Sequence, residues 1–169
     1  MASTTIQNAP SSSSSPSSKP QPEYEVFLSF RGGDTRNTFT DHLCHALVEK
    51  GIITIKDDKD LAMGDPISAA LLDAIEKSRQ AVIILSKNYA SSTWCLEELA
   101  KIVECMKGGL KVLPIFYHVE PSDGQYQRGI FEVAFAEHEK RFNENTVQKW
   151  RAALTEVTNL PRKHIKEDG

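Results

Sequence analysis

The sequence predicts an α/β fold, because short apolar segments rich in β-branched and aromatic residues alternate with longer segments of helical periodicity. Strands that alternate with helices pair in parallel through right-handed crossovers, so the chain is expected to form a three-layer sandwich. The natural arrangement is the flavodoxin-like one, a five-position parallel sheet of order 2-1-3-4-5 with helices on both faces.

The first half of the chain supplies two strands and a helix between them. Strands are expected at residues 24–30, before a turn at 31–34, and at 52–55, before a polar surface connection at 56–66. A helix is expected from residue 37 to about 51, because apolar residues recur at i, i+4, i+7 and i+8. Its inner face consists of Phe39, Leu43, Ala46 and Leu47, and its outer face of Asp41, His42, His45 and Glu49.

The second half continues the alternation. A helix is expected at residues 67–78, followed at 81–85 by the most continuous apolar strand, which is expected to be central and covered on both faces. A helix at 94–107 and a strand at 112–116 follow, and Pro114 predicts a position near an edge for this strand, or at least one missing ladder hydrogen bond. Two further helices are expected at 130–142 and 147–160, and Trp150 lies on the apolar face of the second.

The ends of the chain differ in composition from its middle. Residues 1–22 are rich in Ser and Pro and lack acidic residues, which suggests either a plastid transit peptide or a disordered leader. The absence of arginine and of an amphipathic pattern favours the leader. We therefore expect a domain at residues 23–160 and a charged tail at 161–169.

Composition excludes several functional classes. The formal charge of −3 argues against nucleic acid as the main partner, and no apolar run reaches the roughly 20 residues that cross a bilayer. Three cysteines without C-x-x-C spacing predict neither a disulfide framework nor a metal site, and they fit a cytoplasmic protein. There is no G-x-x-x-x-G-K-[ST] and no G-x-G-x-x-G, which argues against an NTPase or a hydride-transferring enzyme.

In the predicted topology, ligands bind where the strand order reverses, outside the carboxyl ends of strands one and three. Those ends lead into residues 31–36 and 86–98. There Trp94 and Glu98, four residues apart, share one helical face. Glu98 is either a catalytic carboxylate or, like Glu97, a charge that complements the helix dipole. Trp94 is either a stacking surface for a planar base or a cover over the end of the sheet.

Other functional interpretations of the residues at this edge of the sheet have less support. Arg31 and Arg36 flank two glycines and could hold phosphate oxygens, although surface salt bridges are an equal alternative. Nothing in the spacing pairs Cys95 with a histidine as a nucleophile. A phosphoacceptor receiver would need an aspartate at the end of the third strand, where this chain has Leu85 and Ser86.

Several motifs follow one another along the chain: YEVFLSFRG at 24–32, DTR at 34–36, SKNYASSTWCL at 86–96, PIFY at 114–117 and PSD at 121–123. Together they closely resemble the plant-type Toll/interleukin-1 receptor (TIR) domain of disease-resistance proteins. The resemblance covers residues 24 to about 160. It implies the same fold and cleavage of NAD at the nicotinamide-ribose bond, with NAD as substrate and no cofactor, giving linear or cyclic ADP-ribose products.

By the W-C-L-x-E pattern, the resemblance assigns the catalytic role to Glu98. It also implies substrate contacts from a group of neighbouring residues, namely Arg31, Gly32, Asp34, Thr35, Arg36 and Trp94. Plant members usually carry a basic residue before Gly64, where this chain has Ala62 and Met63, and this leaves the choice between NAD and NADP open.

The resemblance further implies homo-oligomers through TIR-TIR contacts, and contacts with other TIR-containing immune receptors. The implied self-association residues are Asp41 and His42 on the first helix, where Asp41 replaces a common serine, and Trp150 on the last. The expected role is defence signalling or cell death in the cytoplasm, with the nucleus as a second location. The alternative is a non-catalytic adaptor that acts through homotypic contacts.

Overall fold

The structure, a computed structural model, describes residues 22–35, 38–56, 67–161 and 163–165. It contains one parallel sheet of five strands in the order β2-β1-β3-β4-β5, so the predicted α/β fold and strand order are confirmed. The strands are β1 (Tyr24–Ser29), β2 (Thr54–Lys56), β3 (Ser78–Leu85), β4 (Lys111–Tyr117) and β5 (Lys163–Ile165). The helices are α1 (Gly32–Thr35), α2 (Phe39–Glu49), α3 (Ala69–Glu76), α4 (Thr93–Met106), α5 (Pro121–Gln125), α6 (Ile130–Arg141) and α7 (Glu144–Thr158).

The strands send alternate side chains to two hydrophobic cores. Phe27, Ile83 and Phe116 belong to the larger core, against which α3, α4, α6 and α7 pack. Leu28 and Ile84 belong to the smaller core, which α2 covers with half-buried apolar side chains. β3 pairs with both β1 and β4, so its predicted central position is confirmed.

The fifth strand lies in the part of the chain that was predicted to be a charged tail. Residues 163–165 pair in parallel with Ile115–Tyr117 of β4, so the boundary predicted at residue 160 is wrong. These three residues, which include Lys163, are too few to show an alternation of apolar and polar side chains. The strand forms because β4 offers unpaired backbone groups. The pairing begins just after Pro114, which agrees with the predicted place of this proline near the edge of the sheet.

Smaller differences concern the helices. Residues 32–35 and 121–125 form the short helices α1 and α5, where a turn and a loop were expected. Within α2, Ala46 is exposed rather than inward, while Leu43 and Leu47 pack against the smaller core as predicted. None of the helices in the described ranges is long and apolar enough to cross a membrane.

Trp150 does not lie on the surface. Its side chain is only 1% exposed, and its ring makes edge contacts with His138 and Phe142 at centroid distances of 5.3 and 5.2 Å. The predicted role of Trp150 as a direct self-association contact is therefore wrong in this conformation. The same apolar periodicity that put it on one face of α7 places it in the core.

We expect Trp150→Ala to reduce the free energy of unfolding by about 3–5 kcal/mol, because it leaves a large cavity in the core. Trp150→Phe should cost clearly less, since Nε1 makes no hydrogen bond within the described part of the chain. Thermal unfolding measures both, and the Ala variant should melt about 6–20 °C below the wild type. An unchanged Tm with weakened association would instead support the surface role.

Candidate active site

The start of α4 is fixed by the residue before it. The Ser92 side chain accepts a hydrogen bond from the Cys95 backbone N–H at 3.2 Å, a standard N-cap that starts the helix at Thr93. The helix follows the carboxyl end of β3, so Trp94 and Glu98 lie in its first two turns at the predicted edge of the sheet.

Glu98 is a buried carboxylate. Its side chain is 2% exposed, and Ser29 Oγ donates a hydrogen bond of 2.6 Å to Glu98 Oε1. Ser29 is the last residue of β1 and is itself fully buried, so the contact links α4 directly to the first strand. Hydrogen bonds that involve an ionised group are short and strong, and they offset part of the cost of burying the charge.

Tyr89 lies on the other side of Ser29. Its hydroxyl oxygen is 2.7 Å from Ser29 Oγ, and it donates to the Cys95 carbonyl oxygen at 3.2 Å. Burial raises the pKa of Tyr89 well above its usual value, and the nearby carboxylate of Glu98 adds to the effect. The phenol is therefore neutral at physiological pH and acts as a donor.

Cys95 is also held in its neutral form. Burial raises the pKa of the Cys95 thiol, the charge of Glu98 raises it further, and Sγ donates to the Phe30 carbonyl oxygen at 3.4 Å. A nucleophilic cysteine needs a thiolate, so this environment argues against that chemistry. The role of Cys95 is packing between α4 and the end of β1.

Asp34 joins the two loops that flank the site. Its Oδ2 accepts hydrogen bonds from Ser86 Oγ at 2.5 Å and from the Asn88 backbone N–H at 2.8 Å. Its Oδ1 accepts one from Asn88 Nδ2 at 2.9 Å. Asp34 therefore fastens the segment after β1 to the segment after β3, and its predicted contact with substrate stays a prediction.

Among the other predicted substrate contacts, the prediction that the Thr35 side chain contacts substrate is wrong. It is 1% exposed, and its hydroxyl is hydrogen-bonded to that of Thr40 at 2.6 Å, toward α2. Arg36 and the pair Ala62-Met63 lie outside the described residues. Gly32 is partly exposed at the start of α1, so its contact with substrate stays a prediction.

Arg31 and Trp94 each carry a buried nitrogen that is available as a donor. Arg31 Nε and Trp94 Nε1 have no hydrogen-bond partner among the described residues. The guanidinium is close enough to lower the pKa of the Cys95 thiol against the larger effect of burial. Buried donors are nearly always paired in folded proteins, so a ligand with acceptor oxygens would satisfy these two groups.

Sequence reasoning missed the residues that hold the site together, namely Ser29, Tyr89, Ser86 and Asn88. One signal was present: Ser29 is a polar residue at the end of an otherwise apolar strand, on the same face as Phe27. The partners of a buried serine, however, depend on which loops the fold brings to it. The other residues lie in a polar connection whose contacts the sequence does not define.

A parallel α/β sandwich with the strand order β2-β1-β3-β4-β5 is the fold expected of a TIR domain. The TIR domain family matches residues 23–168 of this chain, and the chain therefore belongs to that family. The match includes the β5 segment.

Similar proteins are plant disease-resistance proteins. The chain is 52% identical over 169 residues to the disease resistance protein RPV1 of Vitis rotundifolia, covering 99% of this chain and 12% of that protein. It is 50% identical over 150 residues to the TMV resistance protein N of Nicotiana glutinosa, covering 86% of this chain and 13% of that protein. The chain thus spans about an eighth of the length of these two relatives.

A solved structure gives the same result. The TIR domains of the activated Roq1 resistosome, which directly recognises the pathogen effector XopQ, superpose with a TM-score of 0.76 at 51% identity. The superposition covers 85% of this chain and 88% of the Roq1 chain. The fold described above is therefore that of a plant resistance-protein TIR domain.

The loop-fastening role of Asp34 can be tested by a double-mutant cycle with Asn88. We expect Asp34→Ala to reduce the free energy of unfolding by about 1–3 kcal/mol, because the Ser86 and Asn88 donors lose a charged acceptor. Asp34→Ala and Asn88→Ala together should cost less than the sum of the single changes, as urea unfolding can measure. Strictly additive effects would contradict the clamp.

Proposed function

We propose that this chain is the TIR domain of a plant immune-signalling protein and that it cleaves NAD at the nicotinamide-ribose bond, with Glu98 as the catalytic residue. The observation that carries the proposal is the carboxylate of Glu98, buried on the helix that follows the central strand. Buried acids at the carboxyl edge of a parallel sheet are typical of functional sites.

The chemistry suits a site with a single carboxylate. Glycosidases need an acid to protonate a poor leaving group, whereas nicotinamide in NAD is a cationic pyridinium that leaves as a neutral molecule. The departing ring takes the bonding electrons and leaves a positive, oxocarbenium-like ribose carbon. Water then adds to that carbon and loses a proton, so NAD and water give nicotinamide, ADP-ribose and H⁺.

Glu98 would stabilise the positive ribose carbon, because a fixed negative charge in a site sheltered from water acts strongly on a developing positive charge. If the ribosyl centre is attacked from within the same molecule instead of by water, the product is cyclic ADP-ribose. Product analysis decides between the two outcomes.

Arg31 and Trp94 would bind the rest of the substrate. A guanidinium matches the geometry of pyrophosphate oxygens, and an indole ring packs well against a planar base. Arg31 Nε and Trp94 Nε1, which have no hydrogen-bond partner in the described part of the chain, support such contacts. Gly32, Asp34 and Arg36 remain proposed substrate contacts through the same loop, and NADP is the alternative substrate.

We expect Glu98→Gln to reduce NAD cleavage by at least about a hundredfold, since it removes the charge but keeps the shape of the side chain. Glu97→Gln is the matched control, because Glu97 precedes Glu98 on α4 and is more exposed. Nicotinamide release at high protein concentration measures both variants. Full activity of Glu98→Gln with a normal Tm would exclude the catalytic role.

Self-association is the second part of the proposal. The Roq1 TIR domains belong to an activated resistosome. This chain is 51% identical to them in sequence and has the same fold. We place a symmetric contact on the outer face of α2, centred on His42, which is exposed, with the partly exposed Asp41 as its neighbour in the sequence. Contacts with other TIR-containing immune receptors and a location in the cytoplasm or nucleus follow from the same assignment.

The test compares two histidines on one helix. We expect His42→Ala to weaken dimerisation by about threefold or more in sedimentation velocity, because it truncates a side chain at the centre of the proposed contact. His45→Ala is the control, since His45 is 76% exposed and its nearest ion-pair partner, Asp41, is 3.9 Å away on the same helix. Equal effects of the two changes would count against a contact centred on His42. Association without nicotinamide release would favour a non-catalytic adaptor.

A further inference from the structure

Three buried oxygens form a short chain that ends at the catalytic candidate. Ser29 Oγ lies 2.6 Å from Glu98 Oε1 and 2.7 Å from Tyr89 Oη. Tyr89 Oη lies 3.2 Å from the carbonyl oxygen of Cys95. The Ser29 and Tyr89 side chains are fully buried, so their hydroxyl groups must donate to acceptors in this series of hydrogen bonds rather than to bulk water.

The number of available protons determines which oxygen donates and which accepts in each of these hydrogen bonds. A serine hydroxyl carries one proton and can donate one hydrogen bond. When Glu98 is ionised it only accepts, so the Ser29 proton is directed to Glu98. The short Ser29 to Tyr89 contact then needs the phenol proton, and Tyr89 must be the donor to Ser29. The longer contact to the Cys95 carbonyl is the secondary acceptor of the same proton.

Tyr89 is suited to this task because it is neutral and fully buried. Burial raises the pKa of its phenol, so it keeps its proton throughout the physiological range. It lies in a 3-10 turn, Tyr89–Ser91, that precedes α4. The next residue of the turn, Ala90, has its carbonyl oxygen 2.8 Å from His138 Nε2 of α6, which holds the turn from the opposite side.

We propose that Ser29 and Tyr89 are positioning residues for Glu98: Ser29 fixes the carboxylate through Oε1, and Tyr89 directs the Ser29 proton toward it. The inference rests on the proposed NAD cleavage. Neither residue touches the substrate in this scheme. Ser29 acts through Glu98, and Tyr89 acts through Ser29.

The first test is steady-state NAD cleavage by Ser29→Ala, Tyr89→Phe and the double variant. Ser29→Ala should lower kcat about tenfold to hundredfold, as expected for residues that orient a reactive group, with KM changed less than about threefold. Tyr89→Phe should lower kcat less, roughly two- to tenfold, because Ser29 keeps its own proton. The double variant should match Ser29→Ala, since Tyr89 acts through Ser29.

The chain offers matched controls for both changes. Ser78 is also buried, but its hydroxyl donates to the Ala74 carbonyl oxygen at 2.8 Å at the opposite end of β3. Tyr24 lies at the start of β1, away from the site. Ser78→Ala and Tyr24→Phe should leave kcat within about twofold of the wild type. If the control variants and the test variants lose Tm alike, that loss reflects stability and not catalysis.

A second measurement does not depend on activity. With ¹³C at the side-chain carboxyl of glutamate, the NMR signal of Glu98 is identified by its loss in Glu98→Gln. Ser29→Ala should move this signal, because Oε1 loses its donor, and Ser78→Ala should not. If the wild type releases no nicotinamide, the proposed function fails whatever the NMR result.

The positioning role fails on different outcomes. A wild type that cleaves NAD together with a Ser29→Ala variant of unchanged kcat would overturn it, and so would an unmoved Glu98 signal. Independent, multiplying effects of Ser29→Ala and Tyr89→Phe would overturn the part assigned to Tyr89. A kcat loss with a moved signal and a non-additive double variant supports the whole arrangement.

Discussion

The hydrogen bond from Ser29 to Glu98 is the contact on which the arrangement of the site depends. A carboxylate that is 2% exposed has lost nearly all of its hydration, and such a loss costs several kcal/mol unless donors inside the protein replace the water. Ser29 supplies one donor, and it comes from the first strand rather than from α4 itself. The position of Glu98 is therefore tied to the register of α4 against the sheet.

The larger core keeps that register. Leu96, Leu99 and Ile102 of α4 are fully buried against the same face of the sheet that carries Phe27, two residues before Ser29. Apolar packing is dense and tolerates little displacement, so it determines where the first turns of α4 can lie. The polar contacts at the end of β1 then act on side chains that packing has already brought within hydrogen-bond distance.

Periodicity predicted the parts of the molecule that packing determines. β3 is the most continuous apolar segment and lies at the centre of the sheet, and the strand order follows from alternating strands and helices. β5 could not be predicted, because three residues stabilised by backbone pairing with β4 need no apolar pattern. For Trp150 the apolar face of α7 was predicted correctly, but the surface role implied by resemblance was not compatible with its burial.

For the candidate site, the sequence predicted one candidate residue, Glu98, and the edge of the sheet at which it lies. Topology identified the carboxyl ends of β1 and β3, and a motif selected Glu98. The groups that hold Glu98 were not predictable, because Ser29 and Tyr89 are sixty positions apart and meet only through the fold. Local patterns report the face on which a side chain lies, whereas a hydrogen bond between distant segments requires the geometry of both.

The structure also separates two explanations for acidic residues at the start of α4. Complementing the positive end of the helix dipole requires only that a carboxylate lie near the first turn, and an exposed side chain does this at little cost. Neither Glu97 nor Glu98 lies in the first turn of α4, although Glu97 follows that turn directly with a partly exposed side chain. Glu98 does not need to be buried for this purpose, and its burial would be a net cost to stability without another benefit. A buried acid that accepts a hydrogen bond from a different element, Ser29 of β1, is not explained by the dipole of its own helix.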